Sequence, residues 1–185
     1  MNTDEFETLV QGAEETANIE FKTAVDWSAR LFVRDILAMS NTLDGGKIIV
    51  GIEDRTLVRV GLSEAQIATF VPDTMKDQIK TFADPLVTFR CNVVQDKNGL
   101  MFVVLDVNSF EEIPVICAKD GHDVNAGNIY FRPRSGRPRS ERVTASADMR
   151  EIIEASIARR LQGLRKVGLV APATSYDFDD ELGDI

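Results

Sequence analysis

Histidine, cysteine and tryptophan are scarce in this chain. Its 185 residues include one histidine, two cysteines and one tryptophan. That scarcity excludes a Cys/His zinc cluster, which needs several such ligands at close spacing. It also excludes a disulfide framework. Cys91 and Cys117 each sit in an apolar, strand-like run and read as buried free thiols of a reducing compartment. His122 lies in a Gly/Asp-rich stretch and reads as a solvent-facing turn residue. No apolar run approaches the ~20 residues that cross a bilayer. The start, MNTDEFETLVQG, lacks the basic-then-apolar layout of a signal peptide. A cytoplasmic protein with no membrane partner is expected. An excess of positive charge is missing too. The net charge of −9 argues against simple nonspecific binding to nucleic acid.

Hydrophobic residues make up 44% of the chain, enough to build a core in one domain of ordinary size. The charge is unevenly spread. ATSYDFDDELGDI, from Ala173, holds acids and no base, whereas RPRSGRPRSER, Arg132 to Arg142, is rich in arginine. A basic loop inside an acidic protein says more than the total.

Residues 1–13 read as a short helix or arm. Ile19-Glu20-Phe21-Lys22 alternates apolar and charged residues, so as a strand it puts Glu20 and Lys22 on one face and Ile19 and Phe21 on the other. From Ser28, Leu31, Ile36, Leu37, Ser40 and Leu43 recur near a helical period, with Ser28 or Asp26 as N-cap and Gly45-Gly46 as the stop. KIIVGIED follows as a central strand, apolar on both faces. SEAQIATFVPDTMKDQIKTFAD suggests one or two helical pieces broken near Pro72, the second capped by Asp73 or Thr74. LVTFRCNVV and LMFVVLDV flank Asn98-Gly99 as a hairpin. IPVICAK and NIYFRPR suggest a second one. Met149, Ile152, Ile153, Ile157, Leu161 and Leu164 form an apolar stripe on a last helix, residues 146–166. An acidic tail, 167–185, follows and is expected to be partly disordered. The fold class is α+β: a single domain over 14–145, with a mixed/antiparallel sheet, flanking helices and a C-terminal amphipathic helix.

The glycines of LDGGKIIVG do not make a nucleotide loop. They follow a helix and precede a strand, the reverse of a phosphate-cradling order, and no G-x-x-x-x-G-K-[ST] or G-x-G-x-x-G is present.

Landmarks in fixed order carry more weight. They are EETANIEFK, AMSNTLDGGKIIVGIED, Gly61-Leu62, IPVICAKDG and NIYFRPRSG. This order resembles the Schlafen AlbA-type domain family, described as DNA-binding, over roughly Glu14 to Val143. The resemblance implies a compact α+β fold that binds RNA or DNA. In some members it implies a divalent-metal-dependent endoribonuclease acting on structured RNA such as tRNA. The positions matching that family's three carboxylates are Glu15, Glu20 and Asp54, which the resemblance makes catalytic and ligands of Mg or Mn. Lys22 matches the lysine of EFK, with a role at the phosphate. The sequence departs from the family after Arg132, where Pro133-Arg134-Ser135-Gly136 delays the glycine. Asp26 is an additional nearby acid.

Phosphodiester cleavage needs a nucleophilic water and relief of charge on phosphate oxygens, and hard divalent ions held by carboxylates supply both. The spacing of Glu15 and Glu20 does not fit one face of a regular strand. Thr16-Ala17-Asn18 must turn if the two are to meet. Plainer roles compete: Glu20 and Lys22 as an exposed pair worth ~0–1 kcal/mol, Asp54 as a turn cap, Glu14 and Glu15 as helix-surface acids. Arg132, Arg134, Arg137 and Arg139 suit phosphates, or else the acidic tail. Tyr130 and Phe131, one of which should face the core, and Trp27 are candidates for stacking on bases. Three functions stay in view: an endoribonuclease, a noncatalytic DNA/RNA-binding regulatory module, and an interaction component of a larger assembly with homo-oligomerisation through the C-terminal helix.

Overall fold

The computed structural model describes residues 1–12, 14–133 and 138–169. Arg134, Arg137 and the acidic tail lie outside them. The first elements are α1 (Thr3–Val10), β1 (Ile19–Lys22), α2 (Ala29–Ser40) and β2 (Gly46–Val50). Next come α3 (Glu64–Ile67), α4 (Pro72–Lys80), β3 (Ala83–Asp84), β4 (Phe89–Gln95) and β5 (Met101–Val107). The chain continues through β6 (Ile116–Cys117), β7 (Tyr130–Phe131), β8 (Glu141–Arg142) and α5 (Ser146–Lys166). The main sheet has the order β1-β2-β5-β4. β1 runs parallel to β2 and the other neighbours are antiparallel. This is the α+β, mixed-sheet class.

The strands β2 and β5 are apolar on both faces because both faces are covered. Ile48, Val50, Val103, Leu105 and Val107 point into a large core under α2, with Phe32, Val33, Ile36 and Leu37. Ile49, Phe102 and Val104 point the other way and pack with Phe6 of α1, Phe21 and Val94. Phe21 therefore anchors β1 in the second core and leaves Glu20 and Lys22 on the α2 face, as strand alternation requires.

Four local expectations change. α2 stops at Asn41, not at the glycines. The Asn41 side chain turns inward, donating to Val115 O and Tyr130 O and accepting from Val115 N. Gly45 instead makes the turn into β2, at φ 70°. The buried face of α2 is wider than its apolar spacing suggests: Leu31 and Leu43 are exposed, and Phe32, Val33 and Met39 are inside. The second helical piece begins with Pro72 at its first turn and Val71 as N-cap, so neither Asp73 nor Thr74 caps it. The second hairpin does not form as drawn. β6 pairs with β3 and β7 with β8, leaving one bridge between Ile116 and Ile129.

Candidate functional site: an acidic cavity beside β1

A short reversal brings the first acid back to the strand. Thr16 and Ile19 bond each other's backbone on either side of Ala17-Asn18. Glu15 thereby returns alongside β1, where its Oε1 accepts the Phe21 N–H at 3.2 Å. At the far end of β2, Gly51 and Ile52 both donate to Lys22 O. The chain then turns, placing Asp54 near the same strand end. The turn is held by Glu53, which accepts from the Thr56 hydroxyl at 2.7 Å. The turn-cap role thus falls to Glu53.

Glu15, Glu20 and Asp54 line one cavity of about 410 Å³, together with Arg34, Asp35, Arg139 and Glu141. An adjoining opening adds Arg55 and shares Glu15, Asp54 and Arg139. Cations therefore stand around a carboxylate-rich cavity.

The second acid is held by a chain of ion pairs. Lys22 Nζ lies 2.7 Å from Asp35 Oδ2 and 3.5 Å from Glu20 Oε1. Arg132 Nη1 donates to Glu20 Oε2 at 2.7 Å. Burial alone lowers the Lys22 pKa, but the charges of Asp35 and Glu20 outweigh it and hold the ammonium above its ordinary range. For Glu15 the balance is unfavourable to charge. Its burial, then the Glu20 charge, a hydrogen bond shared with Glu20 and the Asp54 charge push its carboxyl up to about 7, against the Phe21 N–H.

Arg132 is not at the surface. It is fully buried, and its guanidinium also donates to Ser140 Oγ, Thr16 O and Ile19 O at 3.1, 3.0 and 3.1 Å. Its expected phosphate contact is replaced by a structural one: it fixes the Thr16–Ile19 reversal and aims Glu20. Arg139 is exposed on the cavity rim. Arg134 and Arg137 lie outside the described residues. The stacking candidates are also placed in the interior or against it. Tyr130 and Phe131 are both buried, and Trp27 stacks on Phe32 with ring centroids 4.9 Å apart while its Nε1 donates to Gln78.

Sequence reasoning missed Asp35, Arg34 and Arg55. Asp35 sits on the buried side of α2 (4% exposed), where an acid needs a partner. That mismatch was a readable signal. Nothing in the sequence distinguished Arg34 or Arg55 from ordinary surface cations.

Among the described residues no three His, Cys, Asp or Glu side chains are grouped as a metal-holding set. A three-carboxylate centre is therefore not preassembled. Magnesium, however, commonly keeps several waters and takes only one or two carboxylates alongside substrate phosphates. Glu15 and Glu20, which line the same cavity, offer hard oxygen donors of that kind. By donor chemistry the pair fits a hard divalent ion.

Residues 15–139 match the Schlafen, AlbA_2 family, and the chain belongs to it. The family is one of nucleic-acid-related domains. Solved structures similar to part of the chain include two from bacteria. One is the DIP2311 protein from Corynebacterium diphtheriae, at 18% identity and TM-score 0.48, covering 74% of this chain. This chain covers 26% of that protein's chain. The other is the N-terminal domain of an ATP-dependent DNA helicase RecG-related protein from Nitrosomonas europaea. It has 22% identity and TM-score 0.47, with 78% of this chain and 94% of that one covered. No curated protein matches. No helix among the described residues is long and apolar enough to cross a membrane.

Proposed function

We propose that this protein is a divalent-metal-dependent endoribonuclease acting on structured RNA, with the acidic cavity as its active site. The observation that carries the reading is the convergence of Glu15 and Glu20, brought together by the Thr16–Ile19 reversal, with the sequence-distant Asp54 on one cavity rimmed by Arg34, Arg55 and Arg139. Five acids and three arginines line the joined cavity. A phosphate enters such a place only if cations outweigh the carboxylates. Magnesium or manganese on Glu15 and Glu20, with Asp54 nearby, would supply charge relief on phosphate oxygens and a water of lowered pKa. The chain's own groups do the positioning. Arg132 and Lys22 hold Glu20 at its two oxygens, and Phe21 N–H holds Glu15. Arg139 and Arg55 offer guanidinium forks for the flanking phosphates.

The test is incubation of a structured RNA such as tRNA with the protein and Mg²⁺ or Mn²⁺. Cleavage is expected from wild type and is expected to fall at least about 100-fold in Glu15→Gln and Asp54→Asn, in the range for loss of a group acting on the reacting atoms. Absence of cleavage by wild type, or equal cutting by the variants, refutes the catalytic assignment.

A second reading is a noncatalytic nucleic-acid-binding module. It is favoured by Glu20, whose two oxygens are already engaged by Lys22 and Arg132. It expects salt-sensitive RNA or DNA binding that weakens in Arg55→Ala and Arg139→Ala and is unchanged in Glu15→Gln.

A further inference from the structure

A second charged feature lies away from the acidic cavity. Lys76 and Lys80 of α4 and Arg90 of β4 line a groove of about 470 Å³ with Leu86 and Val87. None of the three cations has an ion-pair or hydrogen-bond partner among the described residues. The acid Asp106, opposite Arg90 in the strand register, is held by Lys47 at 2.6 Å. Asp77 is the one acid lining the groove. Leu86 is 60% exposed. Unpaired cations around an exposed leucine, on a protein of net charge −9, form a surface that selects an acidic segment with apolar side chains.

The register separates this groove from the acidic cavity. Phe89 pairs with Val107, and Val107 with Gly46, so the groove lies at the Gly46 end of the sheet and on its β4 edge. The cavity lies past Val50, on the β1 edge. The two sites are at opposite corners.

We infer that the groove binds the chain's own acidic segment, residues 176–185, YDFDDELGDI. Its charge is complementary: Asp177, Asp179, Asp180, Glu181 and Asp184, with no base. Phe178 and Leu182 supply the apolar contacts that Leu86 and Val87 call for. The path also fits. Ser156 and Arg160 of α5 bond Glu112, and Gly163 lies against the Glu112 carboxylate. Glu112 is four residues from Asn108, which lines the groove. The end of α5 therefore lies within roughly 30 Å of the groove, and sixteen residues beyond Leu169 extend to about 50 Å. Docking there is intramolecular, so a modest contact acts at high effective concentration.

The test compares amide NMR spectra of the full chain with a full-chain variant whose segment is neutralised (Asp177→Asn, Asp179→Asn, Asp180→Asn, Glu181→Gln). Neutralisation is expected to shift the amides of residues 76–80 and 86–90, and 0.5 M salt is expected to produce the same shifts in wild type. A groove variant, Lys76→Glu with Lys80→Glu, is expected to release the segment. Its pairing with Asp179→Lys and Asp180→Lys is expected to restore the contact. Shifts confined to residues 170–185 overturn the inference. Groove shifts that grow with protein concentration assign the contact to a second copy and overturn it as well. So does a groove that responds only to added RNA, equally in wild type and neutralised chain. RNA cleavage is not part of the readout, so the outcome is independent of the function assigned to the acidic cavity.

Discussion

Arg132→Ala is the substitution with the largest expected effect outside the hydrophobic cores. The side chain is fully buried and makes four hydrogen bonds: to Glu20 Oε2, Ser140 Oγ, Thr16 O and Ile19 O. Removing one partner of a buried ion pair typically costs about 3–5 kcal/mol, because the other charge is left behind. Two features set this case toward the lower end. Glu20 keeps Lys22 at 3.5 Å and some access to water, and the Arg132 Nε has no partner among the described residues. A loss of about 3–4 kcal/mol follows, or roughly 6–16 °C in Tm at this chain length. Arg132→Lys keeps the charge but cannot span Glu20 and two carbonyls at once, so an intermediate loss of about 1–2 kcal/mol is expected. Urea unfolding with unchanged m-value, checked by a thermal scan, measures both. A loss under about 1 kcal/mol for Arg132→Ala would place the pair with ordinary surface salt bridges and refute the reasoning.

Further outcomes follow from other buried groups. Asn41→Ala strips partners from Val115 N, Val115 O and Tyr130 O and is expected to cost about 2–3 kcal/mol in urea unfolding; a change below about 0.5 contradicts the role given to Asn41. Glu15 has a folded pKa raised from 4.5 to about 7, so the native state holds its proton more tightly than the unfolded chain. Its contribution to stability is fully present below pH 4.5 and is lost as pH rises through about 7. In chelator-containing buffer, Glu15→Gln should therefore flatten the fall in urea midpoint between pH 5 and pH 8, and parallel profiles for variant and wild type would contradict this. Burial pushes the Cys91 thiol up to about 11, so at pH 8 its alkylation by iodoacetamide should be at least about ten times slower than in the urea-unfolded chain; equal rates overturn the assignment.

What the sequence revealed and what it hid divide along a physical line. The period-two alternation of EFK, the doubly apolar KIIV and the Asn-Gly hairpin are local signals, and β1, β2 and the β4–β5 pair are found where those signals put them. The Thr16–Ile19 reversal was foreseen only as a requirement for Glu15 to meet Glu20. The misplaced features depend on partners distant in sequence. Asn41 ends α2 because residues 74 and 89 positions later offer it carbonyls. β6 and β7 separate because β3 and β8 compete for their edges. Arg132 reads as one member of an arginine-rich surface loop, and composition gives no sign that its side chain is buried.

The difference between Glu15 and Glu20 bears on how the cavity works. Asp35, Lys22, Glu20 and Arg132 form a continuous alternation of charge, each member held by the next. Glu20 is thus fixed in place and balanced, and its position depends on residues from α2 and from the segment after β7. Glu15 is partly buried, lies near the charges of Glu20 and Asp54, and among the described residues accepts one backbone N–H, that of Phe21. It is the carboxylate whose state responds to whatever enters the cavity. An arriving cation or protonated ligand lowers its pKa, and an arriving phosphate without a cation raises it further. The NMR titration of Glu15 in the presence of Mg²⁺, or of RNA alone, therefore distinguishes an ion site from a cation-free phosphate contact. A downward move with Mg²⁺ is the expected result. A titration indifferent to the ion would remove Glu15 from the proposed ligand pair.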